Sequence, residues 1–159
     1  MKTQRVRIAR LRGARDADIP LPAFATPGSL GDDLHAALEG ELALARGERA
    51  LIPTGLALAL EPGYEAQIRP RSGLALEHGI SLPNAPGTVD SDYRGEIQII
   101  VQNGGQQPVT LRRGDRIAQL VVAPVVHPLW EEVDEVEDLG ATERGAGGFG
   151  HSGRTPRTR

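Results

Sequence analysis

The sequence contains no cysteine, which excludes disulfide bonds and thiolate metal sites. Aromatic residues make up only 3% of the chain, so a core must be built mainly from Leu, Ile, Val and Ala. No stretch approaches the roughly 18 consecutive apolar residues of a membrane-spanning helix. The basic start lacks the apolar run of a signal peptide, so we expect a cytoplasmic protein. The scattered histidines show no helical ligand spacing, which argues against a zinc site.

Glycine and proline are abundant, with 20 Gly and 12 Pro among 159 residues, and this is typical of many short strands and turns. Runs with apolar residues at alternate positions, bounded by Gly or Pro, predict strands. They lie at 5–11, 42–44, 50–60, 64–69, 97–101 and 117–126. The formal net charge of −3 gives no general reason to expect nucleic-acid binding.

One segment, Ser72–His78, predicts a short helix that Ser72 caps at its start and Gly79 at its end. The acidic stretch 131–138 is typical of a solvated surface. From Gly140 the chain is rich in glycine and then basic, a composition that cannot bury enough apolar surface to order itself. We therefore predict a mostly β core over 1–139 and a flexible arm over 140–159.

The most informative motif is GTVDSDYRGEI at 87–97, which predicts a hairpin whose tip presents Asp90 and Tyr93. Two acids at i and i+2 of an extended segment share a face, so one of Asp90 and Asp92 can act as a general base while the other orients it. The alternative interpretation is an ordinary polar turn, because Asp, Ser and Gly are common turn residues.

Three further motifs carry groups suited to phosphate and water. The helix start PRSG offers backbone N–H groups with Arg71 and Ser72 for an anion, or simply a capped helix. The run SLGDDL places Asp33 where it can hold waters of Mg²⁺, or in a plain turn. In RGDRIAQL, Gln119 stands among apolar residues and can position a water, or simply face solvent.

The run RGAGGFG at 144–150 combines backbone amides able to wrap an anion with a cation, Arg144, and a ring, Phe149, able to stack on a base. The alternative is a plain disordered tail. Together, and in their order along the chain, the five motifs closely resemble those of the trimeric dUTPase family in its bacterial type. The matching stretches run from about Thr26 to Ser152.

This resemblance implies a jelly-roll-like β-sandwich that assembles as a homotrimer with active sites at subunit interfaces. It implies hydrolysis of dUTP to dUMP and pyrophosphate, which keeps uracil out of DNA and supplies dUMP for dTMP synthesis. The catalytic residues would be Asp90, the base for water attacking the α-phosphorus, and Gln119, which holds that water. Mg²⁺ on the phosphates would be reached by Asp33 through water.

By the same resemblance, the segment from Asn84 to Gln98 holds the uracil, and Tyr93 lies against the deoxyribose and leaves no room for a 2′-hydroxyl. Phe149 would stack on the uracil, and Arg144 would meet the γ-phosphate. The implied substrate-binding residues are Arg71, Ser72, Gly73, Asn84, Gly87, Thr88, Val89, Asp90, Tyr93, Gln98, Arg144, Gly148 and Phe149.

Departures from the family pattern are small: Asp32 stands where an aromatic or aliphatic residue is common, Ala146 where Ser is usual, and His151 where Ser or a small residue is usual. None touches the implied base, water holder or sugar gate, so we expect activity. Two alternatives stay open. One is a dCTP deaminase, or a bifunctional deaminase and hydrolase, of the same fold. The other is a binding protein whose contacts with a partner depend on dUTP.

Overall fold

The computed structural model describes residues 3–148. The chain forms two compact units, Met1–Val126 and His127–Arg159. Every strand and the α-helix found among the described residues belong to the first unit. In the second, the described residues include a 3₁₀ turn at Val136–Leu139. No helix among the described residues is long and apolar enough to cross a membrane. The predicted division at 139/140 into core and arm stays a prediction.

Among the described residues, the first unit contains twelve short strands, one α-helix and a 3₁₀ turn at Gly13–Asp16. Each of the six predicted runs overlaps at least one strand, whereas alternation does not predict the other strands. The strands are β1 Arg7–Arg10, β2 Ala23–Phe24, β3 Asp32–His35, β4 Glu41–Leu44, β5 Arg49–Pro53, β6 Leu56–Ala59, β7 Tyr64–Arg69, β8 Ile80–Ser81, β9 Gly87–Val89, β10 Gln98–Asn103, β11 Val109–Arg112 and β12 Arg116–Pro124, and the helix is α1 Ser72–His78.

All strand pairs are antiparallel. The largest sheet has the order β2-β3-β12-β7-β9, a second has the order β5-β10-β8, and β1-β6 and β11-β4 form separate pairs. One apolar core joins these sheets, and its members come from β3, β5, β7, β10 and β12 among others. Sheets that share one core in this way make a β-sandwich, so the predicted mostly β fold is confirmed.

The helix α1 has the predicted bounds, and Gly79 ends it in the left-handed conformation at φ 69°. Glycine adopts this left-handed conformation most easily because it has no Cβ. The predicted cap at the start is wrong. Ser72 is itself the first helical residue, and Arg71 stands in the capping position without a side-chain hydrogen bond to the helix. The open N–H groups of the first turn therefore remain available to another acceptor.

The predicted hairpin around Asp90 is also wrong. Strand β9 pairs with β7 in the largest sheet, whereas β10 pairs with β5 and β8 in another. The segment 84–98, which we call the crossover segment, therefore carries the chain from one sheet to the other. The strands that pair with β9 and β10 lie far away in sequence, so no local pattern could show this pairing.

A buried carboxylate fixes the N-terminal part of the chain to the turn before β12. Asp16 is 1% exposed and accepts hydrogen bonds from Arg12 Nε at 2.7 Å and Arg113 Nη2 at 3.0 Å. Burial alone would raise the pKa of Asp16, but the hydrogen bonds from Arg113 and Arg12 outweigh it and hold the pKa below its ordinary value.

Candidate functional site

The centre of the candidate site is a buried carboxylate held by two arginines. Asp33, on β3, is 5% exposed. Its Oδ1 accepts a hydrogen bond from Arg71 Nε at 3.1 Å, and its Oδ2 accepts one from Arg116 Nη1 at 3.1 Å. Arg71 Nη1 also donates to the backbone oxygen of Arg116 at 3.1 Å. The predicted alternative of a plain turn is wrong, because Asp33 lies in a strand and its charge is paired.

Gln119 is brought to the same place by strand pairing. On β12 it lies opposite Asp33 of β3 on one side and Arg69 of β7 on the other. Its side chain packs over Gly31, where a Cβ would lie 3.2 Å from Gln119 Cβ and 3.6 Å from Oε1. A side chain at position 31 would therefore press on the amide, so glycine there leaves Gln119 its room. No local sequence pattern indicates this role for Gly31.

The start of α1 adds two predicted residues to this group. Ser72 and Gly73 follow Arg71 directly and are exposed, and a Cβ on Gly73 would meet nothing within 4 Å. Because the first helical N–H groups lack helical partners, this end of the helix offers donors beside the guanidinium groups. The structure thus brings together Asp33, Arg71, Ser72, Gly73 and Gln119, and adds Arg116, which sequence reasoning missed.

Arginine side chains line the surface next to this group. A cavity of about 630 Å³ is lined by Arg71, Arg112 and Arg116 together with His78, Thr110 and Asp115. The side chain of Arg116 is 52% exposed, so it can contact a ligand while it pairs with Asp33. Three arginines and one carboxylate at a shared opening favour an anionic ligand.

Two titratable neighbours of Asp33 on β3 have shifted pKa values. Burial raises the pKa of Asp32, and the adjacent charge of Asp33 adds to this shift. Burial lowers the pKa of His35; Asp33 opposes this effect, while Arg116 and Arg71 add to it. The buried Nδ1 of His35 has no hydrogen-bond partner among the described residues. A neutral His35 therefore adds no charge of its own to the group at neutral pH.

The other predicted catalytic residue, Asp90, lies in the crossover segment. It is exposed, and its backbone oxygen accepts a hydrogen bond from the Tyr93 N–H at 3.2 Å, which closes a turn. Arg94 Nη1 donates to the backbone oxygens of Ser91 at 2.7 Å and Tyr93 at 2.8 Å. The premise of an extended segment is therefore wrong, because Ser91 and Asp92 occupy the turn.

The remaining predicted residues of the crossover segment lie before and after its turn. Gly87 and Val89 are buried while Thr88 is exposed, as alternation along a strand requires. The Asn84 side chain lies over Gly87, where an added Cβ would come within 3.1 Å of Asn84 Nδ2. Gln98, at the start of β10, is exposed. The segment thus presents backbone and one amide side chain around Gly87.

Within one chain the two groups do not meet. Gln119 lies opposite Arg69 of β7, and Val89 lies opposite Ala66 of the same strand. Two strand spacings and about four residues along β7 put the Cα atoms of Asp90 and Gln119 roughly 16 Å apart. That distance is beyond the reach of two side chains that share one water.

The oxygen atoms of Asp33 suit a contact with Mg²⁺ through a water molecule and not direct coordination of the ion. The described residues contain no group of three or more His, Cys, Asp or Glu side chains placed to hold a metal. Each Asp33 oxygen already accepts one arginine hydrogen bond and retains a lone pair for a water. Mg²⁺ commonly keeps several waters and binds substrate phosphates with only one or two carboxylates. The residues therefore fit a magnesium ion reached through water.

The second unit is described by itself up to residue 148. Arg144 Nε donates to the backbone oxygen of Gly147 at 2.7 Å, and the Gly147 N–H donates back to the Arg144 oxygen at 3.0 Å. A Cβ on Gly148 would meet nothing within 4 Å. Phe149, the predicted stacking residue, lies outside the described residues.

Comparison with known proteins identifies the fold and the family. The dUTPase family model matches residues 17–153. The chain is 56% identical over 147 residues to a deoxyuridine 5′-triphosphate nucleotidohydrolase of Caldanaerobacter subterraneus, an alignment that covers 92% of this chain and 97% of that one. A protein of the same name from Anaeromyxobacter is 54% identical, with 94% and 97% covered.

Solved structures show the same fold. A staphylococcal bacteriophage 80alpha dUTPase with dUpNHpp superposes with a TM-score of 0.80 at 24% identity, and covers 96% of this chain and 100% of that chain. A phage phi11 dUTPase, described with a structural Mg(II) ion, gives a TM-score of 0.72 at 21% identity over 84% of this chain and 99% of that chain. Since the family model and relatives above half identity span nearly the whole sequence, the chain belongs to the dUTPase family.

Proposed function

We propose that this protein hydrolyses dUTP to dUMP and pyrophosphate, and thereby keeps uracil out of DNA and supplies dUMP for dTMP synthesis. The observation that carries the proposal is the group in which Asp33 orients Arg71 and Arg116 beside Gln119 and the open start of α1. A triphosphate brings the negative charge that such a group of donors favours. The names of the relatives support deoxyuridine triphosphate as the substrate.

In the proposed reaction, a water oxygen forms a bond to the α-phosphorus while the bond from that phosphorus to the α–β bridging oxygen breaks. Asp90 takes the proton of the water, and pyrophosphate leaves. Gln119 holds the water, and Arg71, Ser72 and Gly73 contact the phosphates. Fixed donors aimed at developing phosphate charge are the main source of rate in such reactions.

The base and sugar are read by the crossover segment in this proposal. Asn84, Gly87, Thr88, Val89 and Gln98 surround the uracil, which leaves no room for the methyl group of thymine. Tyr93 lies against the deoxyribose and excludes a 2′-hydroxyl. Exclusion by shape discriminates without any added attraction.

Magnesium would be held on the substrate phosphates with Asp33 as an outer ligand through water, and when bound it would supply positive charge at the phosphate oxygens. The arm from residue 140 would close over the nucleotide. There Arg144 would meet the γ-phosphate, Gly148 would offer its N–H, and Phe149 would stack on the base. Closure of this kind excludes bulk water from the reaction.

We further propose a homotrimer with shared sites. Asp90 and Gln119 are too far apart within a single chain to hold one water, so a complete site needs the crossover segment of a neighbouring copy. Cyclic symmetry with three copies would give three equivalent sites.

The test compares Asp90→Asn with Asp92→Asn, a matched change in the same exposed turn. We expect Asp90→Asn to lose turnover of dUTP while it still binds the nucleotide, because the base is lost and the donors are kept. Asp92→Asn should lose far less. Near-normal pyrophosphate release by Asp90→Asn would show that another group activates the water.

A deaminase of the same fold is the second candidate, and ammonia release from dCTP decides between them. Appreciable ammonia would overturn the hydrolase proposal. A purely regulatory dUTP-binding protein would bind the nucleotide and release no pyrophosphate from it.

A further inference from the structure

The ring of Tyr93 lies directly against the backbone of Gly95. An ideal Cβ built on Gly95 would stand 2.3 Å from the Tyr93 hydroxyl oxygen, 2.5 Å from Cζ and 3.0 Å from Cε2. Ordinary van der Waals contacts of a Cβ begin at about 3.4 Å. Any side chain at position 95 would therefore require the phenol oxygen to move by about 1 Å.

The need for glycine at this position is steric. Gly95 does not adopt the left-handed backbone conformation, unlike Gly55 at φ 71° or Gly79 at φ 69°. An alanine at 95 would thus avoid the strain of a left-handed backbone, and the three atoms nearest to its Cβ would all belong to the Tyr93 side chain. Tyr93 is 45% exposed, so its ring can move without disturbing the core.

A hydrogen bond holds the ring on this glycine. The Tyr93 hydroxyl donates to the backbone oxygen of Glu96 at 3.0 Å. Glu96 is itself anchored, because its Oε1 accepts a hydrogen bond from the Gly55 N–H at 2.7 Å. The ring therefore rests between a bare backbone at Gly95 and a fixed acceptor at Glu96.

We propose that Gly95 is a positioning residue: its missing side chain sets where the Tyr93 ring lies and so determines discrimination between deoxyribose and ribose triphosphates. This inference rests on the proposed function, in which Tyr93 faces the sugar. A displacement of about 1 Å in a group that excludes one hydroxyl is enough to change the fit, since misplacement on this scale has large effects on catalysis.

The experiment measures kcat/KM for dUTP and for UTP in wild type, Gly95→Ala and the control Gly40→Ala. Gly40 also lies outside the left-handed backbone conformation, and a Cβ there would meet nothing within 4 Å. We expect Gly95→Ala to lower the dUTP to UTP ratio by about tenfold, and Gly40→Ala to leave it unchanged. Thermal unfolding of each variant checks the fold.

A double-mutant cycle separates positioning from a general structural role. In a Tyr93→Ala background, Gly95→Ala should add no further change to the ratio, because the ring it displaces is gone. An unchanged ratio in Gly95→Ala, or an equal drop for both substrates, would overturn the inference. So would a further loss of discrimination in the Tyr93→Ala background.

Tyr93→Phe tests the hydrogen bond without any change at position 95. Removal of the hydroxyl frees the ring from Glu96, so we expect a smaller fall in the ratio than for Gly95→Ala. A ratio as high as that of wild type would show that the Glu96 oxygen does not hold the ring. If wild type itself did not prefer dUTP, the proposed function would fail; if wild type did and Gly95→Ala did equally, only this inference would fail.

Discussion

Two inactive variants should restore activity to each other if each site is built from two copies. Asp90→Asn removes the proposed base from the crossover segment, and Gln119→Ala removes the proposed water holder from β12. Within one chain these residues lie roughly 16 Å apart, from two strand spacings and the register along β7. In a mixed assembly, a Gln119→Ala copy still supplies Asp90, and an Asp90→Asn copy still supplies Gln119. A site built from Asp90 of the one and Gln119 of the other would therefore be complete.

The expected recovery follows from random assembly. With equal amounts of the two variants, each position is filled by either copy with equal chance, so about one quarter of the sites in a symmetric ring receive both intact residues. The mixture should therefore release pyrophosphate from dUTP at about one quarter of the wild-type rate. Each variant alone should stay near background.

The assay unfolds and refolds the two proteins together, and size-exclusion chromatography with two affinity tags confirms mixed assemblies. The matched control mixes Gln119→Ala with Arg71→Ala. These residues belong to the same group around Asp33, so no mixed site regains both, and we expect no recovery. A site shared between copies would be refuted if mixed assemblies of Asp90→Asn and Gln119→Ala showed only background activity. It would also be refuted if the control pair recovered equally.

Two further changes test the frame around the site. Asp16→Asn removes the buried negative charge that Arg12 and Arg113 share, while Arg113 keeps its ion pair with Asp18. We expect the free energy of unfolding to fall by about 2 kcal/mol at neutral pH, which is less than for a fully buried pair because both arginines reach solvent. Burial opposes the shift, but the arginines hold the pKa of Asp16 below its ordinary value. The stabilisation is therefore complete above about pH 4 and is lost as the pH falls through the folded-state pKa. Urea unfolding at neutral and acid pH should show the difference between the two proteins shrinking, and a constant difference would contradict this account. Cutting the chain before Arg144 should leave the assembly folded with greatly reduced turnover, measured by light scattering and pyrophosphate release, and an undiminished rate would remove the arm from the site.

Local sequence patterns were sufficient to predict the elements whose cause is local. The helix has its predicted bounds because Gly79 supplies a left-handed end, and this requirement is visible in the sequence. Strand β7 has the bounds of its alternating run, 64–69. In both cases the signal comes from neighbouring residues.

Features that depend on distant partners could not be predicted in this way. The motif SLGDDL suits a turn as well as a strand, and Asp33 is settled in β3 by Arg71 and Arg116, which lie 38 and 83 residues away along the chain. The motif at 87–97 predicts a hairpin, but strand β9 pairs with β7 and not with the strand that follows it. No local pattern indicates a role for Gly95, and only the packed Tyr93 ring shows why this position has no side chain.

The most direct test of the proposed activity is a comparison of pyrophosphate release from dUTP, dTTP, UTP and dCTP by the full-length protein with Mg²⁺. We predict rapid release from dUTP alone, because in the proposed site the crossover segment would leave no room for a thymine methyl and Tyr93 would leave none for a ribose hydroxyl. Similar rates with all four nucleotides, or no release from dUTP, would contradict the account.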